Sequence, residues 1–229
     1  MKIIVIGLGN FGSAVAVKLA ALGHEVIGVD SIEQRVENIK DKITYAITVD
    51  CTDTTVISTL PIKDADIVVV AIGEDLGASI LITALLKKFN AKRIVSRAIS
   101  PIHQTILEAL GIIEILNPEE DSANRFVTKI TLKNVIDSLN ISDEYSVMEI
   151  LIPDQYVGLT LSEVDLRKKY NLNLLTIKKD IEQHFFSKSF YKSKILGVIP
   201  HDYKFEQNDI LIVFGHNDDI KKWIEKTSK

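Results

Sequence analysis

The chain has 229 residues, with 27 Lys+Arg against 31 Asp+Glu (net charge −4), 46% hydrophobic content and one cysteine, Cys51. That length holds one large domain or two modest ones, each with a real core. The composition points away from a nucleic-acid partner, from a membrane-spanning helix (no apolar run reaches the ~18 residues required) and from any intrachain disulfide.

In chain order, residues 1–117 alternate apolar runs with helix-period segments. The first run, at Ile3–Ile6, leads into Gly7, Gly9 and Gly12, spaced G-x-G-x-x-G. A helix over Phe11–Leu22 follows, Gly23 ends it, and a second strand stops at Asp30. Further strands are expected at Ala46–Asp50, Ile67–Ile72, Arg93–Arg97 and Ile113–Leu116, with helices at Ile32–Lys40, Thr54–Leu60, Leu76–Phe89 and Ile102–Leu110. Inner runs such as IIVI and IVVVAI are continuously apolar, as in strands covered on both faces of a parallel sheet. Gly23, Asn90 and Gly111 follow three of the helices, where a left-handed residue is favoured. The expected fold class is α/β: a doubly wound parallel sheet, Rossmann-like, with ligands at the carboxyl ends of its strands.

A sixth helix starts at Asn117-Pro118-Glu119-Glu120, with Asn117 as its cap, and its period continues to about Ile136. The text then turns polar from Asp137 to Asp143. The domain boundary is placed there, giving domains of residues 1–138 and 139–229. In the second, strands are expected at Tyr145–Ile152, Leu174–Lys179, near Phe185–Phe190 and at Asp209–Gly215. Helices are expected at Ser162–Tyr170, with Ser162 as a cap, and at Asn217–Lys226. This is a small α+β domain. The N-terminus enters a strand almost at once with no leader, so a soluble, cytoplasmic protein is expected.

Each residue of the glycine turn has a physical task. Gly7 permits the tight turn, Gly9 lets backbone approach a phosphate, and Gly12 lets the helix pack on the sheet. With Asn10 and Phe11 they open a helix whose free N–H groups and positive dipole end suit an anion. Asp30, 18 residues beyond Gly12, is placed for ribose hydroxyls and would repel a 2′-phosphate. It does not separate NAD(H) from ADP or ATP. Asp50 and Cys51 after the third strand, Ala71, Ile72 and Gly73 after the fourth, and Arg97 at the end of the fifth complete the cofactor-binding set. Asp50 and Thr52 could instead cap the next helix. Arg97 could instead be a surface ion pair, and Cys51 reads as a packed residue rather than a nucleophile.

Catalytic signatures are sparse. The histidines show no H-x-x-x-H or H-E-x-x-H spacing, and no nucleophile elbow or P-loop occurs. Glu119, Glu120 and Asp121 could hold a divalent cation, though acids also belong in the first turn of a helix for electrostatic reasons.

Several stretches carry a resemblance. They are Val5–Gly12, Gly23–Asp30, Val68–Asp75 and Ala109–Asp121 in the first half, and Asn134–Ser146, Asp165–Tyr170 and Asn208–His216 in the second. Together the chain resembles the regulatory subunits of Ktr/Trk potassium uptake systems, built from N-terminal and C-terminal RCK (regulator of K⁺ conductance) domains. That resemblance implies a nucleotide-sensing, non-enzymatic subunit. It would bind NAD(H) or ADP/ATP and sit on the inner face of the cell membrane beneath a membrane-embedded potassium channel subunit. It also implies a homodimer paired through the sixth helix and assembled into a ring, an octamer. A divalent cation would bind at the subunit interface through Glu119, and cyclic di-AMP would bind the C-terminal domain near Arg167, Asn173 and Pro200. ATP-sensing relatives often carry arginine within the glycine turn, where this chain has Asn10. A charge-assisted contact of about 1.5–3 kcal/mol is then missing, so weak discrimination of ATP from ADP is expected.

Two rivals remain from the residues alone. An NAD-dependent dehydrogenase would need a general acid or base facing the nicotinamide. A redox-sensing repressor would need a basic DNA-binding helix, which the acidic balance disfavours.

Overall fold

The computed structural model describes residues 1–185 and 188–227, with side chains described up to 179 and again from 193. The chain forms two compact units, Met1–Glu119 and Glu120–Lys229.

In the first unit β1 (Lys2–Ile6), β2 (Glu25–Asp30), β3 (Tyr45–Thr48), β4 (Ile67–Val70), β5 (Ile94–Arg97) and β6 (Glu114–Leu116) form one parallel sheet in the order β3-β2-β1-β4-β5-β6. The strands lie close to their expected positions. Helices α1 (Asn10–Ala21), α2 (Glu33–Glu37), α3 (Thr54–Ile57), α4 (Leu76–Lys88) and α5 (Pro101–Ala109) connect them. Gly23, Asn90 and Gly111 take the left-handed conformation at their helix ends. Apolar side chains alternate between two cores along β1: Ile3 and Val5 pack with Val26, Val36 and Val69, whereas Ile4 and Ile6 pack with Val29, Ile57, Val68 and Leu86. That two-sided burial is why the inner strands read as unbroken apolar runs. The chain reverses direction across the sheet between β1 and β4, which leaves a crevice at their carboxyl ends.

Helix α6 spans Pro118–Thr131, shorter than its apolar period suggested. The last residues of the expected helix and the first of the polar stretch are instead β7 (Val135–Asn140), which pairs antiparallel with β8 (Tyr145–Leu151). A register shift between Val135 and Asp137 breaks its alternation, so the strand lacks a period-2 signature.

The second unit holds an antiparallel sheet in the order β10-β9-β11-β8-β7, with β9 at Asn173–Phe185, β10 at Lys188–Ile195 and β11 at Ile210–His216. The strand expected near Phe185–Phe190 crosses residues 186 and 187, which lie outside the described residues. The helix expected over Ser162–Tyr170 is two short ones, α7 (Leu161–Val164) and α8 (Leu166–Tyr170). Asp165 divides them in a left-handed conformation (φ 50°). The cap is Thr160 rather than Ser162: its hydroxyl accepts from the Glu163 N–H while the Glu163 carboxylate accepts from the Thr160 N–H. Helix α9 (Asn217–Thr227) buries Ile220, Trp223 and Ile224 against Leu172, Ile177, Leu211 and Val213.

Candidate functional site

At the β1/β4 crevice the first unit has a cleft of about 570 Å³, within the size range of small-ligand sites. Among the residues predicted for binding, Gly7, Gly9, Asn10, Phe11, Asp30, Asp50, Cys51, Ala71, Ile72, Gly73, Arg97 and Glu119 all line it. Gly12 does not. It lies behind the turn, where a Cβ would sit 1.8 Å from the Gly7 carbonyl oxygen. Gly7 has φ +93°, and a Cβ there would press on Ile72 and Ala71. A Cβ on Gly9 would meet nothing within 4 Å, so this part of the turn faces open space.

Helix α1 begins at Asn10 with Gly9 at its cap and no side-chain capping bond. Its first-turn N–H groups thus retain donor capacity at the positive end of the helix. Asp30 is 6% exposed. Its Oδ2 accepts from the Leu8 N–H at 2.6 Å and its Oδ1 from the Ile32 N–H at 2.8 Å. These bonds tie the end of β2 to the glycine turn. Each carboxylate oxygen accepts more than one bond, so capacity remains for ligand hydroxyls.

Arg35 gave no sequence signal. It lies 3.7 Å from Asp30 Oδ2 and donates to Glu74 at 2.8 Å, bridging the two sides of the cleft. The Glu74 hydrogen bond is the main reason its pKa rises, partly opposed by burial. Asp50 and Asp75 also line the cleft. Asp50 accepts from the Thr52 hydroxyl and N–H, which hold its pKa below the usual carboxylate range. Asp75 caps α4 by accepting from the Ala78 N–H. The cap of α3 is Asp53, so Asp50 and Thr52 bond to each other rather than capping that helix.

Cys51 is 3% exposed, and burial pushes its thiol up to about 12. It is a packed, protonated side chain. Arg97 projects from the end of β5, its guanidinium 5.5 Å from the Phe11 ring centroid and ion-paired with Glu119. Its Nε is buried without a partner. Gly73 makes room for it, because a Cβ there would come within 2.5 Å of Arg97 Nη1. Among the described residues no group of three or more His, Cys, Asp or Glu is arranged to hold a metal. In the second unit Arg167 is exposed on α8, Asn173 opens β9 exposed, and Pro200 is exposed on the chain after β10.

The TrkA-N domain profile matches residues 3–118. Over 96% of its length the chain is 35% identical to the Ktr system potassium uptake protein C of Bacillus subtilis strain 168, covering 94% of that protein. The chain belongs to this TrkA-N and Ktr family. The Ktr system potassium uptake protein A of the same organism is 32% identical over the same share of the chain, with 93% of that protein covered. Among solved structures, the GsuK RCK domain aligns with all of the chain at TM-score 0.67 and 12% identity. The chain spans 48% of that structure's length. At this identity the likeness concerns fold alone. No described helix is long and apolar enough to cross a membrane.

Proposed function

We propose that the protein is the nucleotide-sensing regulatory subunit of a potassium uptake system. An adenine nucleotide, NAD(H) or ADP/ATP, binds the first-unit cleft as a signal and is not turned over. One observation carries the reading: the uncapped start of α1, the ribose-competent Asp30 and the cationic Arg97 converge in one cleft of a Ktr-family chain. Phosphate would lie on the first turn of α1 beside Arg97, and the ribose on Asp30. The thiol lining the cleft is buried, which disfavours it as a nucleophile.

The partner is a membrane-embedded Ktr/Trk channel subunit, which holds this protein at the inner face of the membrane. Two copies pair through α6, whose exposed residues Ala123, Phe126, Val127 and Ile130 recur at helical spacing on one apolar stripe. The dimers close into a ring of eight. In this scheme the functional division falls at 138/139, so α6 acts with the nucleotide domain. A divalent cation at Glu119 would need ligands from a second chain and would have to draw Glu119 from Arg97.

Co-expression with the membrane subunit tests this. The two should co-purify, and potassium flux through the complex in vesicles should change when ATP is exchanged for ADP or NAD⁺ for NADH. Flux that ignores every nucleotide sinks the reading.

A further inference from the structure

We propose that Glu119 is an internal competitor for the ligand's phosphate. It occupies Arg97 and must yield it, so Glu119 sets how strongly a nucleotide must pull on the cleft in order to bind. This rests on the reading of the cleft as a nucleotide site.

Arg97 is fenced in. Its guanidinium lies against Gly73 on one side and over the Phe11 ring on another, and Glu119 holds Nη2. Phe11 belongs to the first turn of α1, so an anion seated on that turn meets Arg97 where it already stands. The other acids of the cleft are engaged elsewhere: Asp30 by Leu8, Ile32 and Arg35, Glu74 by Arg35, Asp50 by Thr52 and Asp75 by Ala78. Glu119 alone among them faces Arg97.

Exposure decides which partner moves. The Arg97 side chain is 15% exposed and the Glu119 side chain 64%. Swinging Glu119 out to water costs little desolvation, whereas Arg97 is held by packing. The arginine therefore stays and the carboxylate leaves. A phosphate oxygen replaces the carboxylate, and the unpartnered Nε gives the guanidinium a second donor for it in the same plane. Every phosphate-bearing ligand is thus weakened by the same competition, and removing the competitor should tighten binding.

The test is calorimetric titration of the full chain with ADP and NAD⁺ in EDTA, comparing the wild type with Glu119→Gln and Glu120→Gln. Glu120 is the exposed neighbour that does not line the cleft, so its variant makes the same change in net charge. Glu119→Gln should bind about three- to tenfold tighter, between the worth of an exposed ion pair and that of a buried charge-assisted bond. Glu120→Gln should match the wild type. Unchanged or weaker binding by Glu119→Gln, or an equal gain in Glu120→Gln, overturns the inference while leaving the cleft reading intact. A wild type that binds none of ADP, ATP, NAD⁺ and NADH removes the cleft reading itself.

Discussion

The two units treat their polar groups differently. In the second unit they largely close on one another. Trp223 Nε1 donates to the Tyr156 hydroxyl, which donates to that of Tyr170; Tyr203 donates to Asp209, and Lys179 pairs with Glu206. Among the described residues there, the buried side-chain atoms without a partner, on Ser146, Thr176 and Asn217, are neutral oxygens. Around the first unit's cleft, charged groups are held in place yet keep spare capacity. Asp30 is fixed by two backbone N–H groups, the start of α1 is uncapped, and Arg97 keeps a buried Nε without a partner. Closed networks rigidify a fold, whereas positioned groups with unused donors and acceptors are what a ligand requires.

That contrast can be broken most severely at Trp223, fully buried in the second core. Trp223→Ala should destabilise the second unit by about 3–5 kcal/mol. It is the chain's one tryptophan, so unfolding is followed by circular dichroism. If the units divide the labour as described, nucleotide binding survives at temperatures where the variant remains folded.

Gly12→Ala comes next. Its Cβ would overlap the Gly7 carbonyl, so the turn must shift, at about 1–3 kcal/mol in stability and with loss of nucleotide binding by calorimetry. Asp30→Asn sharpens the comparison further. A single amide oxygen then serves where two carboxylate oxygens accept from Leu8 and Ile32. Denaturant unfolding should show a loss of about 1–3 kcal/mol, accompanied by weaker nucleotide binding.

Two smaller effects concern titration. Cys51, its pKa pushed up to about 12, stays a thiol at pH 8 and should react with Ellman's reagent only after unfolding. Asp50, its pKa lowered first by the Thr52 hydroxyl, contributes stability that is present above its unfolded pKa and lost as pH falls through its folded value. Thr52→Val should move the Asp50 carboxyl resonance titration upward. Because Asp50 is exposed, the change in stability should be small.

Much of this was legible in the sequence, and unevenly so. The glycine turn, the six parallel strands and part of the cleft lining follow from local chemistry: apolar runs, glycine spacing, and the position of Asp30 at a strand end. Strand β7 did not, because a bulge removes its alternation and half of its residues are polar. The break at Asp165 lacks glycine or proline as a marker, since aspartate tolerates the left-handed conformation on its own account. Arg35 looked like any charged helix residue. Its role depends on Glu74, 39 residues away, a contact no periodicity encodes. Asn10 was singled out as the residue weakening ATP over ADP; it does line the cleft, exposed at the start of α1.

The most direct measurement is calorimetric titration of the wild-type chain with ATP, ADP, NAD⁺ and NADH, repeated on Asp30→Asn. At least one of these nucleotides should bind one per chain, ATP and ADP should differ by less than about tenfold in Kd, and Asp30→Asn should weaken whatever binds. If no adenine nucleotide binds the folded wild type, or if Asp30→Asn binds as well as it does, the cleft is not the sensor described here.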